Sequence, residues 1–525
     1  MRYGFVIDHR KCIGCHACTV ACKEENRVPV GSFRTWVKYV EKGTFPDTRR
    51  YFSVLRCNHC DDAPCVTICP TVALYRRSDG IVDFDNRRCI GCKSCMQACP
   101  YDALYIDPAT NTAAKCHYCA HRIEVGLEPA CVIVCPERAI IAGDLDDPRT
   151  EIARLVAREN VEVRKAEQGT RPKVFYVGAD SSALTPPLQR PATSYLWAQR
   201  PADEADLMRM VAAVQDQGAG GDGTLSRPVY DVPHAVRPWG WRVSAYLWTK
   251  SIAAGALLVA ALAGSTWWGS LRTTVAPAIS LTFLLLTLVL LVTDLKRPDR
   301  FAYILLKPNW RSWLVWGAWI LMAFGAVGAI WLLDGFGGGG LPGFLTVPAI
   351  LLALAAAGYS AFLFGQAEGR DFWQSPMVLP HLVVAALVAG SAVLLLASIA
   401  LPDALPAGAH GFPRRAVQWR VHSVLGPFLW LSLLVHGALL LIELTSRHPV
   451  QDVAVAARLL TRGEYRTRFW AGVVLTGTVL PMILLLAGAA RDSMSLTALA
   501  ALLALAGLWL WEDLWVKAGQ SVPLS

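Results

Sequence analysis

After Cys135 the chain has no cysteine at all. The sixteen cysteines fall between Cys12 and Cys135, in tight groups with little chain between them to cross-link. A disulfide scaffold is therefore a poor fit. Basic excess is also missing where a nucleic acid would need it. The first 150 residues hold 20 Lys and Arg against 18 Asp and Glu, with no basic stripe, so nucleic acid is excluded as a partner. There is no Walker loop, no dinucleotide fingerprint and no nucleophile elbow. A substrate-converting site is accordingly expected on another chain. Residues Met1 to Ile7 run straight to the first cysteine group without an apolar signal region or cleavage site. The expectation is a chain with no export signal of its own.

What is present divides at about residue 240. Residues 1–180 read as a cluster-binding domain and 181–240, rich in Pro, Gly, Ala and polar residues, as a linker. Residues 241–525 read as a membrane domain. An internal repeat marks the first part: Ile7-Asp8-His9-Arg10-Lys11-Cys12-Ile13-Gly14-Cys15 returns as Phe84-Asp85-Asn86-Arg87-Arg88-Cys89-Ile90-Gly91-Cys92. Each copy follows a short apolar strand, Gly4 to Ile7 and Gly80 to Phe84. That is the strand–loop–helix rhythm of a small ferredoxin. A helix is expected after Asp146-Asp147-Pro148, and a last strand over Lys173 to Val177.

The cysteines form four groups: Cys12, Cys15, Cys18, Cys22; Cys57, Cys60, Cys65, Cys69; Cys89, Cys92, Cys95, Cys99; and Cys116, Cys119, Cys131, Cys135. Proline follows the last cysteine in three of them, at Pro70, Pro100 and Pro136. A CxxCxxC loop wraps three thiolates around one face of an iron–sulfur cube. The fourth cysteine, on the helix that follows, reaches a second cube in two-cluster ferredoxins. Sixteen cysteines supply four 4Fe–4S clusters with none left over. Zinc also uses CxxC pairs, but CxxCxxC followed by xxxCP is not zinc-finger spacing. With four thiolates per cube, His16, His59, His117 and His121 are expected beside the clusters, not on the iron.

Eight apolar runs follow, near 246–264, 275–293, 312–333, 343–365, 377–400, 424–443, 470–489 and 495–514. Each is close to the roughly 20 residues that cross a bilayer core. Trp and Tyr gather near their ends, among them Trp267, Trp268, Trp310, Trp313, Trp373, Trp470 and Trp515. With an even number of spans, both ends of this domain share one side. That side's loops carry twelve Lys and Arg, including Lys296, Arg297, Arg370 and Arg447, against five on the other: Arg272, Arg414, Arg415, Arg420 and Arg491. The positive-inside rule puts the cluster side in the cytoplasm. The fold class is thus an α+β ferredoxin-like multi-cluster domain followed by an all-α eight-helix transmembrane bundle.

Ionisable groups near that side of the spans are the candidates for proton and quinone chemistry: Tyr246, Lys250, Asp294, Glu368, Asp371 and His381, with Glu443 beside them. Two other readings compete. A haem b anchor needs facing histidines. His422 and His436 lie on one span, and His381 is the sole further histidine within a span. An ion-translocating subunit driven by cluster redox needs a continuous polar line, which these acids do not trace in sequence.

The four cysteine groups, in this order and with a wide fourth, resemble the iron–sulfur subunits of molybdopterin oxidoreductases such as DMSO, polysulfide and nitrate reductases. The resemblance implies crossed ligation. Cys12, Cys15, Cys18 and Cys135 would hold one cluster, and Cys116, Cys119, Cys131 and Cys22 its partner. Cys57, Cys60, Cys65 and Cys99 would hold the third, and Cys89, Cys92, Cys95 and Cys69 the fourth. The second half resembles the NrfD-like membrane subunits. The resemblance rests on Asp294 to Phe301, Lys307 to Trp313, Gly369 to Pro376 and the tail Lys517 to Leu524. It implies eight helices, a menaquinone or ubiquinone as substrate and no haem. It also implies a catalytic partner with a molybdenum or tungsten bis-pterin cofactor, in a prokaryotic inner membrane. One departure stands out. The family's pocket has a histidine early in its first helix, where this chain has Tyr246, Lys250 and Ser251.

Overall fold

Two left-handed backbone positions let each CxxCxxC stretch coil on itself. In the computed structural model, Gly14 and Gly91 have φ of 72° and 69°, and His16 and Lys93 follow with 61° and 64°. Glycine takes this conformation freely, but His and Lys adopt it at a cost of about 1–2 kcal/mol. Each of those two residues then precedes a helix, Ala17–Glu25 and Ser94–Ala98, that carries the group's third cysteine. The repeat read in the sequence is thus a repeat of backbone geometry.

The structure describes residues 1–44, 46–189, 226–232, 237–263, 268–339, 343–405, 414–446 and 450–525, without the side chains of Thr44, Arg414 and Arg415. Trp267, Arg447 and residues 190–225 and 233–236 of the expected linker lie outside them. The chain forms two units. One is Met1–Pro238 with Ala367–Gly369 and Pro523–Ser525; the other is Trp239–Gln366 with Arg370–Val522.

The first unit contains strands β1 (Tyr3–Asp8), β2 (Thr35–Thr44), β3 (Asp47–Arg56), β4 (Leu74–Arg76), β5 (Val82–Phe84), β6 (Leu104–Asp107), β7 (Thr112–Lys115), β8 (Ile140–Asp144), β9 (Val161–Glu162), β10 (Val174–Val177) and β11 (Ser226–Tyr230). One sheet has the order β8-β1-β10-β9. In it Phe5 pairs antiparallel with Ala142 and parallel with Val174. Its apolar face buries Phe5, Ile7, Ile140, Val174 and Tyr176 together with Tyr118. The Tyr118 hydroxyl donates to the Gly4 carbonyl at 2.6 Å and accepts from the Gly143 amide at 3.0 Å. The helix expected after Asp146 is Glu151–Arg158, capped by the Thr150 hydroxyl at 3.3 Å from the Ala153 amide. A second sheet has the order β11-β2-β3. β11 lies within the stretch read as linker, and pairs with β2 from Ser226 to Tyr230. Its composition carries no strand signal. The hairpins β4–β5 and β6–β7 complete the unit.

The second unit has eight helices long and apolar enough to span a bilayer: Trp241–Leu262, Leu271–Asp294, Trp313–Phe336, Gly343–Gly365, Val378–Ala400, Ala416–Thr445, Arg468–Ala490 and Met494–Gln520. They are the spans one to eight below. The first and last reach further than the apolar runs do, because polar residues at their ends stay helical. Span one is the hub and packs against spans two, four, five and eight. It and span five are built so that backbones touch. A Cβ at Gly255 would fall inside the Ala386 carbonyl, and one at Gly390 inside the Gly255 backbone. Such small-residue contacts replace the hydrophobic driving force that lipid cancels. Gly477 and Gly507 do the same for spans seven and eight.

Gly255→Ala is therefore expected to destabilise the membrane unit by about 1–3 kcal/mol, the usual cost of overpacking. Gly426→Ala, which meets nothing within 4 Å, should be neutral or slightly stabilising. Thermal unfolding of the two variants in detergent distinguishes them; equal midpoints would show that spans one and five are free to separate.

Candidate functional site

The fold gathers the cysteines into sets that cross the sequence groups. Cys12, Cys15, Cys18 and Cys135 line one cavity with Ile13, Val37, Val54 and Ile140. Cys22, Cys116, Cys119 and Cys131 line a second. Cys69, Cys89, Cys92 and Cys95 line a third. Cys65 has Cys99, Cys57 and Cys60 as its thiol neighbours, which makes a fourth set.

Backbone amides point at several sulfurs. Ala139 donates to Cys135 at 3.2 Å, Gly91 and Ala113 both to Cys89 at 3.4 Å, and His59 to Cys57 at 3.5 Å. Such donors suit sulfur that carries negative charge. Burial pushes the Cys18 thiol up to about 11 and the Cys60, Cys99 and Cys116 thiols to about 12. These groups hold their protons at neutral pH unless a metal displaces them. A zinc site would need four ligands about 2.0–2.3 Å from one point. Among the described residues no three His, Cys, Asp or Glu side chains are grouped to hold a single metal ion. Four sulfurs set apart around a cavity, with amide donors aimed at them, fit a cube.

The neighbouring histidines are engaged by protein. His59 Nδ1 accepts from the Val82 amide at 3.2 Å. His117 Nδ1 meets Arg34 at 3.2 Å, and His121 Nε2 meets Glu25 at 2.7 Å. His16 packs its ring against Tyr39 and Tyr230.

In the membrane unit the sequence candidates separate into two sets. Tyr246 and Lys250, one turn apart on span one, face span four. Lys250 Nζ donates to the Ala357 carbonyl and the Ser360 hydroxyl, both at 2.8 Å, and lies 4.8 Å from the Tyr359 ring centre. Tyr246 has Tyr359, Ser360, Asp294 and Glu512 for polar neighbours. Glu512, on span eight, accepts from the Ser251 hydroxyl at 3.3 Å and leaves its other oxygen without a hydrogen bond. In the second set His381 Nε2 stands 2.9 Å from Glu443 Oε2. The His381 ring lies 5.8 Å from both His436 and Trp511. Successive residues of span eight, Trp511 and Glu512, thus face the two sets.

The other candidates lie apart. Glu368 belongs to the cluster-binding unit, where burial, and then Asp62, raise its carboxyl above the usual range. Asp371 opens the short turn Asp371–Gln374, which packs against spans four and eight. His436, which had no visible partner in the sequence, meets His381 across spans five and six. The Nε2 that a haem iron would take on His381 already faces Glu443, and Trp511 stands against both rings. Ser360, Tyr359 and Glu512 were not among the sequence candidates. Glu512 left a signal, two consecutive acids, Glu512 and Asp513, inside the last apolar run.

A family model described as Polysulphide reductase, NrfD matches residues 232–523. The protein belongs to that family. The NrfD-type half is preceded by matches to a 4Fe-4S dicluster domain over 48–145 and a 4Fe-4S binding domain over 10–28. A tetrathionate reductase subunit of Salmonella typhimurium is 48% identical over 200 residues, covering 37% of this chain and 80% of that one. A polysulfide reductase chain of Wolinella succinogenes is 42% identical over 181 residues, covering 34% and 94%. The arsenate respiratory reductase iron–sulfur subunit of a Shewanella species is 36% identical over 225 residues, covering 34% and 96%. The protein is an integral membrane chain that joins 4Fe–4S electron-transfer modules to an NrfD domain.

The crossed sets make a prediction that local ligation does not. Cys99→Ser should alter the paramagnetic resonance signal of the cluster that also needs Cys57, Cys60 and Cys65. The cluster of Cys89, Cys92 and Cys95 should be spared. Cys95→Ser should do the reverse, and identical losses in both variants would refute the crossing.

Proposed function

We propose that this chain relays electrons between a catalytic partner subunit and the membrane quinone pool through four 4Fe–4S clusters, and that the partner carries a molybdenum or tungsten bis-pterin cofactor. The observation that carries the reading is the grouping of sixteen cysteines as four sets of four, in one chain with an NrfD domain. The names of the relatives support the partner, since they are subunits of tetrathionate, polysulfide and arsenate reductases. Each cluster, when bound, supplies a one-electron carrier. The chain's own residues hold it, shield it from water and aim amide donors at its sulfurs.

Quinone chemistry couples two electrons to two protons, so its site needs donors and an exchangeable proton. The membrane unit offers both. Lys250, with Tyr246, Ser360 and Asp294 near it, presents donors in a buried setting. His381, 2.9 Å from Glu443, is an imidazole–carboxylate pair of the kind that proton-coupled chemistry uses. A buried charge is costly in a bilayer and marks function by default. The substrate is menaquinone or ubiquinone. The charge balance of the loops favours a cytoplasmic cluster domain in a prokaryotic inner membrane.

Two experiments test this reading. His381→Ala and Lys250→Met should each keep the wild-type content of about sixteen irons per chain, as four cubes require. Each should slow cluster reduction by a soluble quinol analogue at least tenfold; wild-type rates in both would remove the quinone from this region. For the topology, alkaline phosphatase fused after Ser525 should be inactive, and an active fusion would place the cluster domain on the outer side.

A further inference from the structure

Arg56 is the last residue of β3, a strand that runs from exposed residues at Asp47 to buried ones at Val54, Leu55 and Arg56. The residue is 1% exposed. It lies above the Phe5 ring, 4.5 Å from its centre. Nη1 donates to Cys131 Sγ at 3.2 Å. Nε and Nη2 are enclosed and find no hydrogen-bond partner among the described residues. The side chain lines the cavity shared by Cys22, Cys116, Cys119 and Cys131.

A buried guanidinium with unmade donors is among the most costly arrangements a protein interior can hold. The groups that act on it electrostatically are the thiols of Cys131, Cys116 and Cys18. The other polar residues of the cavity are already engaged. Arg34 binds Asn26 and His117 at 3.1 and 3.2 Å. Asn26 Nδ2 donates to the Cys22 carbonyl at 3.0 Å, with Cys22 Sγ and Cys119 Sγ at 3.7 and 3.8 Å. Lys115, also fully buried, gives donors to the carbonyls of Val82 and Cys116. Arg56 is thus the cation whose free N–H groups meet the cavity itself. A cube filling the cavity offers sulfur acceptors there, and hydrogen bonds and nearby positive charge are what set a cluster's potential.

The geometry points to Arg56 as a tuning residue: it donates to the sulfurs of the cluster held by Cys22, Cys116, Cys119 and Cys131 and raises that cluster's reduction potential. Added electron density on this cluster faces a fixed cation at contact distance. The cavity of Cys12, Cys15, Cys18 and Cys135 shows no Arg or Lys among its described lining residues. Of these two clusters, the Arg56 cluster would therefore hold an electron preferentially. This inference rests on the four-cluster reading but not on the quinone or on the partner.

The test is a mediated redox titration of the full chain in detergent, followed by low-temperature paramagnetic resonance. The cluster is identified as the one whose signal is altered by Cys119→Ser. In Arg56→Met the ratio of reduced to oxidised cluster at fixed potential should fall at least tenfold for that signal, a shift of about 59 mV for one electron, and less for the cluster of the neighbouring Cys18. Arg56→Lys keeps the charge but loses the planar fork, and should shift the same signal less, in the same direction. Unchanged potentials in both variants, or equal shifts of all four signals, overturn the proposal. Where Arg56→Met loses the cluster, Arg56→Lys decides: a lowered potential supports tuning and an unshifted one refutes it. Loss of the cluster in both variants assigns Arg56 to holding the cavity together and ends the tuning role.

Discussion

Bringing sulfur from distant parts of the chain to common cavities is the constraint on which the cluster-binding unit is built. Cys12, Cys15 and Cys18 precede β2, whereas Cys135 stands five residues before β8, and the two segments meet because β1 and β8 pair. The left-handed positions at Gly14, His16, Gly91 and Lys93 coil each CxxCxxC stretch on itself. Buried thiols with raised proton affinity, and a buried Arg56 with Nε and Nη2 unpartnered, describe an interior shaped around a charged guest. Binding free energy of that guest is folding free energy.

The membrane unit solves the opposite problem. Gly255 and Gly390 let two of its backbones meet. Yet it buries Lys250, Glu512, His381, His436 and Glu443. Bilayer and interior alike offer no water, so each polar group must find a partner on another helix. Lys250 finds carbonyl and hydroxyl oxygens on span four. His381 finds Glu443 on span six. Glu512 and the His381–Glu443 pair stay incompletely hydrogen-bonded.

Much of this was legible in the sequence because it is written locally. The cysteine spacings state cluster chemistry within a dozen residues, and eight apolar runs state eight helices. The strands before the first and third groups were legible for the same reason. Whatever depends on tertiary contact was not. The acid that faces His381 is Glu443, sixty-two positions later and on a neighbouring span, so no local pattern joins them. Glu368 and His381 are close in sequence but belong to different units. β11 carries Pro228 and charged Arg227, and is a strand because β2 offers it an edge. The crossed cysteine sets came from family resemblance, and spacing alone left open which fourth cysteine served which loop.

The crossing also dictates an order of events while the protein is being made. A ribosome releases residues from the N-terminus onward. The set containing Cys69 is complete once Cys95 has emerged, and the set containing Cys57 at Cys99. The set containing Cys22 waits for Cys131, and the set containing Cys12 for Cys135. The earliest cysteines to leave the ribosome are thus the last to be satisfied, and the sheet that would shelter them cannot close until β8 and β10 follow. The sets are completed from the middle of the unit outward, and Cys12, Cys15 and Cys18 wait longest for their fourth member.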